Sequence, residues 1–152
     1  YRAAAALPEA DWRADQGAFF GSLMGTLNHL LVTDRIWMRR VSGDGPVQTR
    51  LDEIVTEDLP ELTRLREAED ARIIAFVEGL DEDGAGAPVT YGPLTASGSF
   101  TQPLAALLIH LFNHETHHRG QATVLLTRLA GRNACEPLDL VAFQRASGMG
   151  MA

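Results

Sequence analysis

The sequence predicts an all-α fold, an antiparallel four-helix bundle with a short hairpin or extended loop before the last long helix. Three observations predict it. Apolar residues recur at three- and four-residue steps through long segments, short runs rich in Gly, Pro and Asp separate those segments, and only one stretch carries strand-type residues. The 152 residues, 45% of them hydrophobic and 22% charged, suit a single domain able to bury a core.

Ala3 to Ala6 read as the end of an earlier helix whose start lies outside this sequence. Tyr1 opens the chain without a signal-peptide pattern, which leaves a removed targeting segment open. Glu9 to Gly17 is polar and mixed. From Phe19 onward, Phe20, Leu23, Met24, Leu27, Leu31 and Met38 follow helical spacing as far as Ser42-Gly43, giving a helix of roughly 25 residues. Gly43 to Gln48 is a turn-rich connection. Asp58 and Pro60 then offer a cap and an early helical proline ahead of the stripe Leu62, Leu65, Ile73, Phe76, Val77 and Leu80. Residues 81–84 (DEDG) end that helix as a loop. Val89 to Phe100 is either a short hairpin or an extended loop. Pro103 to Ala130 is the longest candidate helix, stopped by Gly131, and Leu138 to Phe143 is a final turn or two against the bundle.

Composition narrows the chemistry. The net charge of −7 and pI near 5.1 argue against a nucleic-acid partner, and Arg35, Arg39 and Arg40 read as a solvated face. No apolar run reaches the roughly 18 residues of a membrane span, so no membrane partner is expected. All 13 basic residues are Arg, which excludes a Schiff-base lysine. Cys135 is the one cysteine, so neither an internal disulfide nor a cysteine-rich zinc site can form, and a cytoplasmic setting is expected.

Four of the five histidines fall within His110-Leu-Phe-Asn-His114-Glu-Thr-His117-His118. At 100° per residue His110, His114 and His118 climb one helix face, together with Leu107, Leu111, Gln121 and Leu125. Imidazoles buried beside leucines need a partner for each nitrogen, and a metal supplies one; an i, i+4 pair is the spacing at which one helix chelates. His117 lies at the stripe's edge, and His110 is a neighbour of the site or an alternative ligand. A third ligand must come from elsewhere. His29 is the remaining histidine, but a helical wheel sets it off the centre of the Phe20/Leu27/Leu31 stripe, so its helix would have to be buried on two sides. Asp34 points to the centre of that stripe and needs a buried arginine or histidine N–H. Glu115 and Gln121 are candidates to support the histidine face, and Gly120 suggests close helix packing. His114-Glu115-Thr-His117-His118 also meets the HExxH pattern. Its extended form fails at Gly120 and Val124, and strand sequence for a protease cleft is lacking.

The segments Gly25-Thr-Leu-Asn-His29-Leu-Leu-Val-Thr-Asp34-Arg-Ile-Trp37 and His110-Leu-Phe-Asn-His114-Glu-Thr-His-His118-Arg-Gly-Gln121 closely resemble the DinB family of DinB/YfiT-like metalloproteins. Pro137 to Phe143 looks like that family's ending. The resemblance implies a four-helix bundle, often a homodimer, with one divalent transition metal, zinc or nickel, on three histidines. Matched residue by residue, these are His29, His114 and His118. It further implies a small-molecule substrate, with a low-molecular-weight thiol as cosubstrate, since wider relatives include thiol-dependent S-transferases and isomerases. The catalytic residues stay unassigned. A non-catalytic metal-binding stress-response protein is the alternative, and haem ligation lacks an attachment motif.

Overall fold

The computed structural model describes residues 1–150. Its elements are α1 (Arg2–Ala5), α2 (Glu9–Arg13), α3 (Leu23–Ser42), α4 (Leu59–Glu78), α5 (Glu82–Gly86), β1 (Pro88–Tyr91), β2 (Phe100–Pro103), α6 (Leu104–Ala130) and α7 (Leu140–Ser147). The fold is mostly helical with one small sheet, and three of the helices are long. No helix among the described residues is long and apolar enough to cross a membrane.

The helix expected from Phe19 starts later. Ser22 takes the N-cap, its Oγ accepting the Gly25 N–H at 3.0 Å, while residues 18–21 fold into a tight turn before it. Gly43 ends α3 in the left-handed region at φ +81°, where a side chain would be strained. Asp58 and Pro60 open α4 as anticipated. Residues 81–84 do not stay a loop. Asp81 caps the short α5, its carboxylate accepting from Gly84 N at 2.8 Å. The undecided stretch is a hairpin, in which antiparallel β1 and β2 pair from Pro88↔Pro103 to Tyr91↔Phe100. Pro103 closes β2 and caps α6 rather than lying in its first turn.

Helix α3 is the central element, packed against α4 on one side and α6 on another. From Leu23 to Met38 only Met24 and Trp37 escape full burial. Asp34 meets Arg66, Arg35 meets Glu69 and Ser42 meets Arg72, so α3 and α4 run in the same direction. His29 meets His114 and His118, and Leu27 shares a core cluster with Leu125 near the far end of α6, so α6 runs against α3. The shared direction of α3 and α4 departs from the uniformly antiparallel expectation, and the connection over residues 43–58 is the crossover that makes it geometrically feasible.

Apolar packing comes in two blocks. Trp12, Leu23, Leu27, Leu30, Leu31, Leu62, Leu125 and Leu126 form the larger, and Met38, Ile73 and Leu111 the smaller. Between them α3, α4 and α6 contribute polar residues instead. Asp34 is the buried acid foreseen as needing a partner, and Arg66 Nη1 donates to its Oδ2 at 2.6 Å. Gly120 does not serve close packing, because a Cβ there would meet nothing within 4 Å.

Candidate metal centre

His29 faces the interior because α3 has no solvent side at that level; the residue is 3% exposed. Two neighbours fix its ring. Phe20 stacks on it with centroids 3.8 Å apart and planes 21° apart, held there by the turn that precedes α3. Gly25 allows that turn to sit close, since a Cβ on it would lie 2.0 Å from the Phe20 carbonyl oxygen. On the other edge Leu51 O lies 2.7 Å from His29 Nδ1.

Asn28 places that carbonyl. Fully buried, it accepts from Val55 N at 2.8 Å and Thr56 N at 3.2 Å, and its amide donates to Met24 O and Thr56 O, each at 3.0 Å. All four hydrogen-bonding capacities of the amide are used, and the connection after α3 is thereby tied against the helix that carries His29.

His114 and His118 stand one turn apart on α6, facing His29. The Nε2 atoms of His29 and His118 are 3.2 Å apart, and those of His29 and His114 are 3.4 Å apart. One ligand atom from each of the three residues lies within 4.8 Å of the others. A carbonyl oxygen only accepts, so His29 Nδ1 must donate to Leu51 and its neutral ring leaves Nε2 as a bare lone pair. His118 repeats this arrangement. Its Nδ1 donates to Gln121 Oε1 at 2.7 Å, and Gln121 Nε2 in turn donates to His117 Nε2 at 3.1 Å.

Two lone pairs therefore point at each other across 3.2 Å, with no proton assigned to either. Burial opposes adding one: it pushes His29 and His114 down to about 4, helped by the neighbouring imidazoles, and lowers His118 as well. A cation shared by the Nε2 atoms of His29 and His118, with His114 Nε2 3.4 Å from the first, would resolve the arrangement. Tetrahedral bonds of about 2.0–2.1 Å place donor nitrogens roughly 3.3 Å apart, which the two separations straddle. The donor set thus fits a borderline transition metal, with Leu51 and Gln121 orienting two of the rings.

A cavity of about 530 Å³ opens beside His29 and His114, walled by Trp37, Tyr91 and Phe100 and including Arg40, Gln102 and His110. The hairpin brings Tyr91, Phe100 and Gln102 to it, so the β-hairpin serves as a wall of the site. His110 sits edge-on to Trp37 at 4.9 Å, a neighbour of the triad. His117 stays exposed at the edge, as its wheel position suggested.

Glu115 does not support the histidines. It turns toward α3 and α4, where its carboxyl lies close to that of Asp34 beside Arg66 and lines a separate cavity of about 300 Å³. Burial and the Asp34 carboxylate push Glu115 up to about 9, while burial also raises Asp34 against the pull of Arg66. The buried pair therefore favours keeping a proton, and a carboxyl raised in this way and turned from the histidines is unsuited to the general-base role that HExxH would give it.

Residues 1–148 match the family model described as the DinB family. The chain belongs to the DinB family. Comparison with curated proteins and with solved structures gave no match. Within this DinB chain, the three residues that the family pattern singled out are the ones whose imidazoles converge. Phe20, Asn28 and the Leu51 carbonyl were not foreseen. Phe20 read as one more apolar stripe residue. Asn28 carried a usable signal, since an amide in an otherwise apolar helix face needs several buried partners.

Proposed function

We propose that this DinB chain holds one divalent transition metal, zinc or nickel, on His29, His114 and His118, and acts on a small molecule in the adjoining cavity. The observation that carries the proposal is the pair of Nε2 lone pairs 3.2 Å apart whose Nδ1 atoms are both engaged as donors. Such a metal, when bound, lowers the pKa of water or polarises a thiol or carbonyl oxygen. The chain's own part is orientation and shelter. Leu51 and Gln121 hold the His29 and His118 imidazoles in one tautomer, Phe20 covers His29, and the hairpin screens one side of the cavity from water.

Three protein ligands leave room for a further one, the arrangement suited to catalysis rather than to a closed structural site. A thiol-dependent transfer or a hydrolysis is the proposed reaction class, with a low-molecular-weight thiol as the proposed cosubstrate; family kinship supports it. The family's four-helix bundle is proposed with α1 in the fourth position, since Ala4 joins the core cluster of Leu27, Leu30 and Leu62. A homodimer is proposed through the outer face of α6, where Ile109, Phe112 and Val124 are exposed beside Gly120. The lone thiol, Cys135, supports a cytoplasmic setting.

The test is turnover of a panel of electrophiles with low-molecular-weight thiols by metal-loaded protein, against a His114→Ala control. Turnover lost in the control supports the proposal. No turnover above the control, together with a large fall in thermal stability on chelation, assigns the metal a structural or sensing role instead.

A further inference from the structure

Arginine usage across the fold singles out one residue. Arg13, Arg35, Arg66 and Arg72, the other arginines removed in part or whole from solvent, each lie within 4.0 Å of a carboxylate. Arg40 is half-buried and has no carboxylate at that distance among the described residues, in a chain of net charge −7. A guanidinium withdrawn from water without an anion is costly, and burial lowers its pKa accordingly.

Its position is nevertheless well defined. The guanidinium carbon lies 4.4 Å from the Trp37 ring centroid and 5.1 Å from that of Tyr91. Nη2 donates to Gly92 O at 2.9 Å, at the end of β1. Two aromatic rings and one carbonyl therefore hold the fork still while most of its five N–H donors stay available. The group lines the cavity beside His29 and His114, and no Asp or Glu is among the residues that line it. Trp37, Tyr91, Phe100 and Leu94 add a broad apolar part to the wall.

From this juxtaposition we infer that Arg40 is a substrate-binding residue, and that the cavity takes a flat, apolar small molecule bearing a carboxylate, paired with the Arg40 fork. The inference rests on reading that cavity as the substrate site. A carboxylate matches the planar fork in two parallel hydrogen bonds, and the aromatic wall accepts the remainder of the molecule. Arg40 thereby sets specificity by charge and Phe100 by shape.

The test is calorimetric titration of the protein as purified with 2-naphthoate and with its uncharged amide, 2-naphthamide. Wild type is expected to bind the acid at least about tenfold more tightly than the amide, the scale of one charge-assisted hydrogen bond. Arg40→Gln is expected to abolish that preference, the acid losing about tenfold or more in affinity. Arg40→Lys keeps the charge but loses the fork, so acid binding should fall by roughly threefold or more. Phe100→Ala should weaken both compounds alike. Equal binding of acid and amide by wild type, a preference that survives Arg40→Gln, wild-type acid affinity in Arg40→Lys, or binding of neither compound would each overturn the inference. Metal content measured on the same samples keeps the two readings apart. A preference that follows Arg40 in metal-free samples counts against the metal alone, and metal-loaded samples without it count against Arg40 alone.

Discussion

Arg66→Met removes the guanidinium that bonds Asp34 while filling much of the same volume. The side chains of Arg66 and Asp34 are 8% and 2% exposed, so solvent screens their interaction little. Taking one partner from a buried ion pair costs about 3–5 kcal/mol, because the remaining charge stays buried without compensation. Burial raises both Asp34 and Glu115, so the pair can keep a proton and offset part of this, which places the expected loss near the lower end, about 3 kcal/mol. For a chain of this size that corresponds to a fall in Tm of roughly 6–12 °C. In the variant the buried Asp34 carboxyl is pushed further up, so it protonates more readily and the loss shrinks as pH falls. Urea unfolding of both proteins at pH 8 and pH 5 reads the two effects together. Asp34→Asn added to Arg66→Met should restore at least half of the stability, since the amide needs no cation. A loss under about 1 kcal/mol at pH 8, or one equal at both pH values, would refute the reasoning.

Glu115→Gln tests the shared proton. Glu115 titrates at about 9 when folded and near 4.3 when unfolded, so between those values the folded state holds the extra proton and this carboxyl's contribution to stability declines as pH rises. Glutamine keeps a donor toward Asp34 without titrating, so the Tm of the variant relative to wild type should climb from pH 5 to pH 9; a constant difference would contradict the assignment. Gly25→Ala should cost on the order of 1–3 kcal/mol in urea unfolding and reduce bound metal, because a Cβ 2.0 Å from the Phe20 carbonyl must displace the turn that stacks Phe20 on His29. Wild-type stability and metal content in that variant would show that the turn is not held as described.

The parts of the site that follow from one helix were legible in the chain alone. His114 and His118 share a face because the α-helical period puts them there, and the leucines around them turn that face inward. His29 was legible only through family likeness. A wheel assumes one buried side, whereas α3 is enclosed by α4, α6 and the connection over 43–58, so a residue off the stripe's centre is buried too. The need of Asp34 for a cationic partner could be read from its place in the stripe. Which residue would answer could not, because Arg66 and Glu69 look like solvent-facing charges until α4 is laid along α3. Glu115 misled for a similar reason, since the HExxH spacing says nothing about the carboxylate waiting on the neighbouring helix. The crossover direction of α4 depends on how Asn28 ties residues 55 and 56, a contact between distant parts of the chain that no local pattern reveals.

The most direct test of the proposed centre is metal content by mass spectrometry on protein purified without an affinity metal and dialysed, for wild type, His29→Ala, His118→Ala and the triple His29→Ala/His114→Ala/His118→Ala variant. The converging lone pairs predict about one transition-metal ion per wild-type chain, a strong reduction in each single variant and none in the triple variant. A full equivalent of metal retained without all three imidazoles would contradict the site.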